Sequence, residues 1–369
     1  GGDAPGMNAA IRATALIGRS LGADILGIER GYKGLLESEF VTLMPGDVQS
    51  ILREGGTILG SARCKEFHHK EVREKARANL ANKGVDGLIV IGGNGSLTGA
   101  LHLAAAAERG DGPPLAVIGI PASIDNDLGL TGLSIGVDTA MNTIVDACDK
   151  IADTATAHDR TFIVEVMGRD CGYLAMTSAI AVGADLALFP EAGKPESEIV
   201  DQIVETVMTV RNRPIGPATL PVGRRARRVI IIKAEGVNIP VDKLKIEVDA
   251  RLRERSPGAD PGTIETRVTV LGHVVRGGRP SAFDRLLGSR LANAAIRAML
   301  SGATDKMVAW MPPIELPGAI ATRSPADPYC WLVDLAAVLA ETESLIAGKS
   351  PLARWRAGAF TDIEDALLL

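Results

Sequence analysis

No stretch of this 369-residue chain is apolar for long enough to cross a bilayer, and no signal-type leader is present, so neither a membrane nor secretion is expected. Positive charge is not in excess either. A formal net charge of −5 argues against a general nucleic-acid binder, which needs a strongly basic face, so any anion site must be local. Only four cysteines occur, Cys64, Cys148, Cys171 and Cys330, without metal-type pairing, and a reducing cytoplasm is the simplest home for them. There is no repeat period and no heptad. An initiating Met and an apolar strand ahead of the first glycines are also missing, and the sequence reads as lacking an N-terminal stretch.

What is present suits a large α/β protein. With 46% hydrophobic residues and 41 glycines the chain can bury a sizeable core, and its length favours two domains over one. Apolar runs bounded by turns recur at 25–28, 88–91, 117–120, 162–166, 186–189, 229–233 and 268–271, with helical patterns between most of them. That alternation predicts mostly parallel sheets with helices on both faces. Residues 212–225 carry too much Pro and Gly for regular structure and read as a surface insertion. The basic group Arg224, Arg225, Arg227 and Arg228 beside it reads as a solvated approach to a strand rather than an anion site. The segment from Ala303 onward, with Trp310, Trp331 and Trp355, reads as packing helices and a tail.

The chemistry is concentrated at the ends of two of the apolar runs. The stretch Ser123-Ile124-Asp125-Asn126-Asp127 delivers a hydroxyl and two carboxylates from a strand end. One Asp can accept a proton from an attacking hydroxyl, and the other can hold a divalent metal against a polyphosphate. A polar turn is the bland alternative. About thirty residues earlier, the length of one βαβ unit, Gly92-Gly93-Asn94-Gly95-Ser96 follows an apolar run and leads into a helical pattern. Glycines there let a backbone approach phosphates, and helix N–H groups then face the negative charge. Both loops are expected to open on one sheet edge, where α/β proteins bind ligands. The opening Gly1-Gly2-Asp3-Ala4-Pro5-Gly6 is a third loop of this kind, followed by helical spacing at Ile11, Ala15 and Leu16.

Taken with Gly60-Ser61-Ala62-Arg63, Glu165-Val166-Met167-Gly168-Arg169 and Leu271-Gly272-His273-Val274-Val275-Arg276-Gly277-Gly278, these motifs make the chain closely resemble the bacterial-type 6-phosphofructokinases from Gly1 to about Gly302. The resemblance implies two Rossmann-like three-layer α/β domains with the active site in the cleft between them. Residues 1–137 plus 275–328 would form the phosphoryl-donor domain, and 138–274 plus 329–369 the fructose 6-phosphate domain. It also implies a homotetramer or homodimer with shared active sites, and transfer of the γ-phosphoryl of ATP to the C1 hydroxyl of fructose 6-phosphate.

Residue roles follow by the same resemblance. Asp125 matches the general base, Ser123 a hydroxyl that bonds the transferred phosphoryl, and Arg169 an arginine that offsets charge in flight. Gly1, Gly2, Arg63, Gly93, Asn94, Gly95 and Ser96 match the ATP site, and Asp127 with Asn94 the Mg2+ site. The sugar phosphate falls to Arg160, Met167, Gly168, Arg169, Glu235, Arg267, His273 and Arg276, with the residues matching Arg160 and Arg267 coming from a neighbouring subunit. Two departures stand out. Asn94 replaces the family's usual Asp, which weakens the expected Mg2+ site. Gly95 and Ala122 stand where pyrophosphate-dependent relatives commonly carry Asp and Lys, which favours ATP. In the family's effector pocket, Arg12 matches one basic residue, but Leu16 and Glu54 stand where two arginines are expected, so little response to ADP or phosphoenolpyruvate follows. A lipid or NAD kinase would share the glycine loop without the sugar-phosphate set, and a non-catalytic paralogue or a pyrophosphate-dependent enzyme is the alternative within the family.

Overall fold

A computed structural model of the chain describes residues 3–105, 115–212, 227–258, 264–312 and 321–367. Along the described residues the strands are β1 (Leu26–Ile28), β2 (Phe40–Thr42), β3 (Gly87–Gly92), β4 (Ala116–Pro121), β5 (Thr161–Val166), β6 (Leu186–Leu188), β7 (Val229–Ala234), β8 (Thr266–Val270), β9 (Lys306–Trp310), β10 (Ala321–Arg323) and β11 (Cys330–Asp334). Each of the seven apolar runs overlaps one of them. The chain divides into two compact units, residues 1–140 with 276–347 and residues 141–275 with 348–369.

The first unit is built on a five-stranded sheet of order β10-β11-β9-β4-β3. β3 and β4 read Gly-Leu-Ile-Val-Ile-Gly and Ala-Val-Ile-Gly-Ile-Pro, and such near-continuous apolar strands suit a sheet covered on both faces. They pair in parallel, with Gly92 opposite Pro121, and the helix Asn94–Ala104 lies between them in sequence. β4 pairs in parallel with β9, and β9 in antiparallel fashion with β11. This corrects two expectations. The segment after Ala303 contributes three strands before its helices Leu335–Ile346 and Pro351–Leu367, and residues 329–347 belong with the first unit rather than the second.

A buried carboxylate ties the chain's return into this unit. Asp284, in the first turn of the helix Ala282–Leu300, accepts from Gly136 N (2.8 Å), Thr139 N (2.8 Å) and Thr139 Oγ1 (2.5 Å) at the start of the helix Val137–His158. Burial pushes its pKa upward, against the pull of those hydrogen bonds.

The second unit carries a four-stranded sheet, order β6-β7-β5-β8, parallel throughout. The helices Tyr173–Val182, Glu196–Asn212 and Val241–Arg255 connect its strands. The Val229–Ala234 strand is buried at every position, as a central parallel strand should be. Among the described residues no helix is long and apolar enough to cross a membrane. Most of the 212–225 insertion, including Arg224 and Arg225, lies outside the described residues.

Candidate active site

In the first unit the chemistry gathers past the ends of β3 and β4. Because Gly92 and Pro121 are register partners, the two following loops leave the sheet side by side. Gly93 caps the helix Asn94–Ala104, and Ser96 N and Leu97 N both donate to its carbonyl, at 3.0 and 3.1 Å. The N–H groups of Asn94 and Gly95 are left at the open helix start, the position from which a backbone meets an anion. Asn94 Oδ1 lies 3.4 Å from Thr98 Oγ1, and a Cβ built on Gly95 would meet nothing within 4 Å. Gly93 faces the neighbouring loop, where its added Cβ would lie 3.6 Å from the Ser123 Cβ.

The β4 loop alternates in burial. Ile124, Asn126 and Leu128 are at most 1% exposed, while Ser123, Asp125 and Asp127 are half-buried, so the hydroxyl and the two carboxylates share the accessible side. Ser123 Oγ donates to Asp127 Oδ1 at 2.6 Å. Among the described residues no group of three or more His, Cys, Asp or Glu could hold a metal by protein ligands alone. Mg2+ is commonly bound through one or two carboxylates while phosphate oxygens and waters complete its shell, so half-buried Asp127 on the loop beside Gly93 fits that ion.

Gly1 and Gly2 lie outside the described residues, but the rest of their loop reaches the same place. A Cβ on Gly136 would fall 2.8 Å from the Ala4 Cβ and 3.1 Å from Ile124 Cγ2. Asn8, 1% exposed and not singled out in the sequence, is the hub behind this loop. Its Nδ2 donates to Glu54 O (3.1 Å) and Gly55 O (3.2 Å), and Ile58 N donates to its Oδ1 (2.8 Å), which fixes the segment leading to exposed Arg63. Gly55 in turn abuts the Gly278 carbonyl, just past half-buried Arg276. A cavity of about 1100 Å³ in this unit is lined by Ile25, Ile28, Tyr32, Val90 and Ile91 and reaches neither Asp125 nor Asp127. The two carboxylates therefore belong to the strand ends and not to that cavity, although Ser96 lines it.

In the second unit, Met167, Gly168, Arg169, Glu235 and His273 follow the ends of β5, β7 and β8. Met167 is buried, whereas Arg169, Glu235 and His273 are exposed. The first two loops interlock: Glu235 N donates to Val166 O (2.9 Å) and Gly236 N to Gly168 O (3.1 Å). Gly168 has φ +125°, and any Cβ on Gly236 would sit 1.8 Å from the Arg169 carbonyl, so both positions require glycine. Beneath them, Lys233 Nζ donates to Glu165 Oε2 at 2.7 Å and to Ala234 O at 3.2 Å. Those side chains are 1% and 17% exposed and stand opposite each other on β7 and β5.

Arg160 and Arg267 are not brought to this group. Arg160 immediately precedes β5, and Arg267, opposite Phe162, is the second residue of β8, so both sit at the starting edge of the sheet. From Thr161 to Val166 is five residue steps, about 17 Å at ~3.3 Å each. Arg267 pairs locally with Glu265 at 2.8 Å.

A family profile described as Phosphofructokinase matches residues 1–299. This chain belongs to the phosphofructokinase family. An ATP-dependent 6-phosphofructokinase of Thermotoga neapolitana is 43% identical over 311 residues, covering 84% of this chain and 87% of that protein. Among solved structures, phosphofructokinase from Saccharomyces cerevisiae superposes with a TM-score of 0.80 at 30% identity, covering 98% of this chain and 48% of the yeast chain. A pyrophosphate-dependent phosphofructokinase from Marinobacter aquaeolei is similar in fold, with a TM-score of 0.71 at 20% identity, over 92% of this chain and 81% of that one. The phosphofructokinase matches thus span both units and agree with the mostly parallel sheets described above.

Proposed function

We propose that this chain is an ATP-dependent 6-phosphofructokinase, moving the γ-phosphoryl of ATP to the C1 hydroxyl of fructose 6-phosphate. The observation that carries the reading is the alternation at 123–128, which presents Ser123, Asp125 and Asp127 together beside the Asn94 helix start. Asp125 takes the proton from the C1 hydroxyl as that oxygen attacks the terminal phosphorus. The Ser123 hydroxyl, which donates to Asp127 here, turns to an oxygen of the transferring group. Arg169 supplies a guanidinium to charge spread over the phosphoryl oxygens in transit.

The N–H groups at Asn94 and Gly95, with Ser96, Gly93, Arg63 and the Gly1-Gly2 loop, receive the polyphosphate of ATP. The open space at Gly95 leaves room for a nucleotide's inner phosphates, which supports ATP over pyrophosphate. Mg2+, held by Asp127 with the Asn94 amide as a weak or water-bridged partner, would neutralise charge on the polyphosphate. On the acceptor side, Glu235 accepts from sugar hydroxyls, Met167 and Gly168 line the sugar, and His273 and Arg276 take its phosphate.

Arg160 and Arg267 complete that phosphate site from a second copy of the chain. Their place at the opposite sheet edge, roughly 17 Å from the β5 end, supports this division. The active enzyme is then a homotetramer, or at the least a homodimer, in the cytoplasm. The test is label transfer from γ-labelled ATP to fructose 6-phosphate. Asp125→Asn should lower kcat about 10²–10⁴-fold with little change in binding, because the base acts only in the transition state. Equal rates in the two proteins would remove Asp125 from the mechanism.

A further inference from the structure

Asn126 stands between the two carboxylates and takes no part in the chemistry proposed above, yet its side chain is the most constrained in the loop. It is 0% exposed and has φ +51°, a left-handed conformation that costs most residues energy and that Asn tolerates better than most. Its two neighbours on the buried side, Ile124 and Leu128, are apolar and are held by packing alone. Asn126 supplies direction. Its Nδ2 donates to Gly132 O (3.0 Å), and Ser134 N donates to its Oδ1 (3.1 Å), so one amide grips the returning segment at two points. Ser134 Oγ then donates to Ser123 O at 2.5 Å, which closes the loop on the residue that bears the reacting hydroxyl. Ile135 N donates to Pro121 O (3.0 Å), anchoring that segment to the end of β4.

The consequence is geometric. Asp125 and Asp127 flank Asn126, so the angle at which the two carboxylates leave the backbone is set by the Asn126 φ and by the amide that holds it. A buried amide satisfied on both its donor and acceptor sides cannot rotate without leaving polar groups unpaired, which costs about 1–3 kcal/mol. We propose that Asn126 is the positioning residue of this site, fixing Asp125 and Asp127 against the phosphoryl group through Gly132 and Ser134. The proposal rests on the phosphofructokinase reading above.

Three variants separate the conformation from the grip. Asn126→Gly keeps φ +51° at no steric cost and removes the amide; Asn126→Ala removes the amide and strains the backbone; Ser134→Ala removes the hydroxyl's bond to the Ser123 carbonyl and its longer 3.3 Å contact with Asn126 Oδ1 but keeps the Ser134 N–H on that amide. With ATP and fructose 6-phosphate, well below the melting temperature, Asn126→Gly should lose about 10–100-fold in kcat. Both KM values should stay within about threefold of wild type, because the N–H groups at Asn94 and Gly95 that receive ATP and the β5, β7 and β8 loops that receive the sugar phosphate are untouched. Ser134→Ala should lose less, in the same direction. A merely structural role would lower the melting temperature and leave kcat of the folded protein unchanged, so Asn126→Gly with kcat within about twofold of wild type would overturn the proposal. A wild-type chain that does not turn over would remove the phosphofructokinase reading and this proposal with it, whereas the variants alone decide it once the wild type is active.

Discussion

Among the described residues Lys233 is the largest fully buried side chain, and removing its charge should unbalance the second unit. It sits on β7 at 1% exposure, its ammonium 2.7 Å from a Glu165 carboxylate that is 17% exposed on β5. In Lys233→Met the volume is nearly kept, but the carboxylate loses its partner in a poorly hydrated place. Deleting one member of a buried ion pair costs about 3–5 kcal/mol, and the partial exposure of Glu165 argues for the lower end, about 3 kcal/mol. For a unit of this size that corresponds to a fall of roughly 6–12 °C in melting temperature. Glu165→Leu alone should cost a similar amount by stranding the ammonium. The double variant, with no charge left to desolvate, should recover at least about half of the summed loss, a coupling of about 3 kcal/mol or more in a double-mutant cycle. Calorimetry on the four proteins reads this directly. If Lys233→Met melts within about 1 °C of wild type, or the double variant shows simple additivity, the pair is not a coupled buried ion pair and the reasoning fails.

Other outcomes follow from the same geometry. Burial pushes Cys148 up to about 11 and Cys330 up to about 12, so at pH 8 neither is a thiolate; a disulfide reagent should leave both unreacted in the folded protein and titrate all four cysteines only after denaturation. Asp284 has a raised folded pKa, so its contribution to stability is full below the ordinary carboxyl range near ~3.9 and is lost as pH rises through the folded value. The melting temperature of wild type relative to Asp284→Asn should therefore fall as pH is raised from acid toward neutral, and a constant difference would contradict the assignment. Gly236→Ala would drive a Cβ into the Arg169 carbonyl at 1.8 Å, so it should raise KM for fructose 6-phosphate and lower kcat together, with unchanged kinetics as the contrary result. The family resemblance puts Leu16 and Glu54 where effector-binding cations are expected, so on that reading ADP and phosphoenolpyruvate should each alter the rate by less than about twofold; sigmoidal kinetics relieved by either would refute this.

Much of the fold is legible because apolar runs such as Leu-Ile-Val-Ile at 88–91 and Val-Ile-Ile-Ile at 229–232 admit little but buried parallel strands. The strands β9 to β11 are not legible in the sequence, for the opposite reason. They are three to five residues long, and β10 and β11 form the antiparallel margin of the sheet, so their pattern is weak and their strand character comes from pairing with β4 and with each other. The same tertiary pairing draws residues 329–347 into the first unit, which no local signal in that segment announces. At the site, residue types and order were readable, since a hydroxyl and two carboxylates at alternate positions leave a plain trace. Distances were not. That Asn126 is buried, that Asn8 braces the Arg63 segment, and that Lys233 finds Glu165 depend on partners 68 or fewer residues away that only folding brings near. Periodicity also says nothing about sheet edges, which is why the separation of Arg160 and Arg267 from Arg169, Glu235 and His273 emerges only from the strand register.

The central claim is the identity of the reaction, and steady-state formation of fructose 1,6-bisphosphate with ATP and with pyrophosphate, in the presence of Mg2+, tests it most directly. The account predicts turnover that depends on ATP, with kcat/KM for ATP at least about tenfold above that for pyrophosphate, a margin of roughly 1.4 kcal/mol in transition-state binding. A preference for pyrophosphate, or no product with either donor, would contradict it.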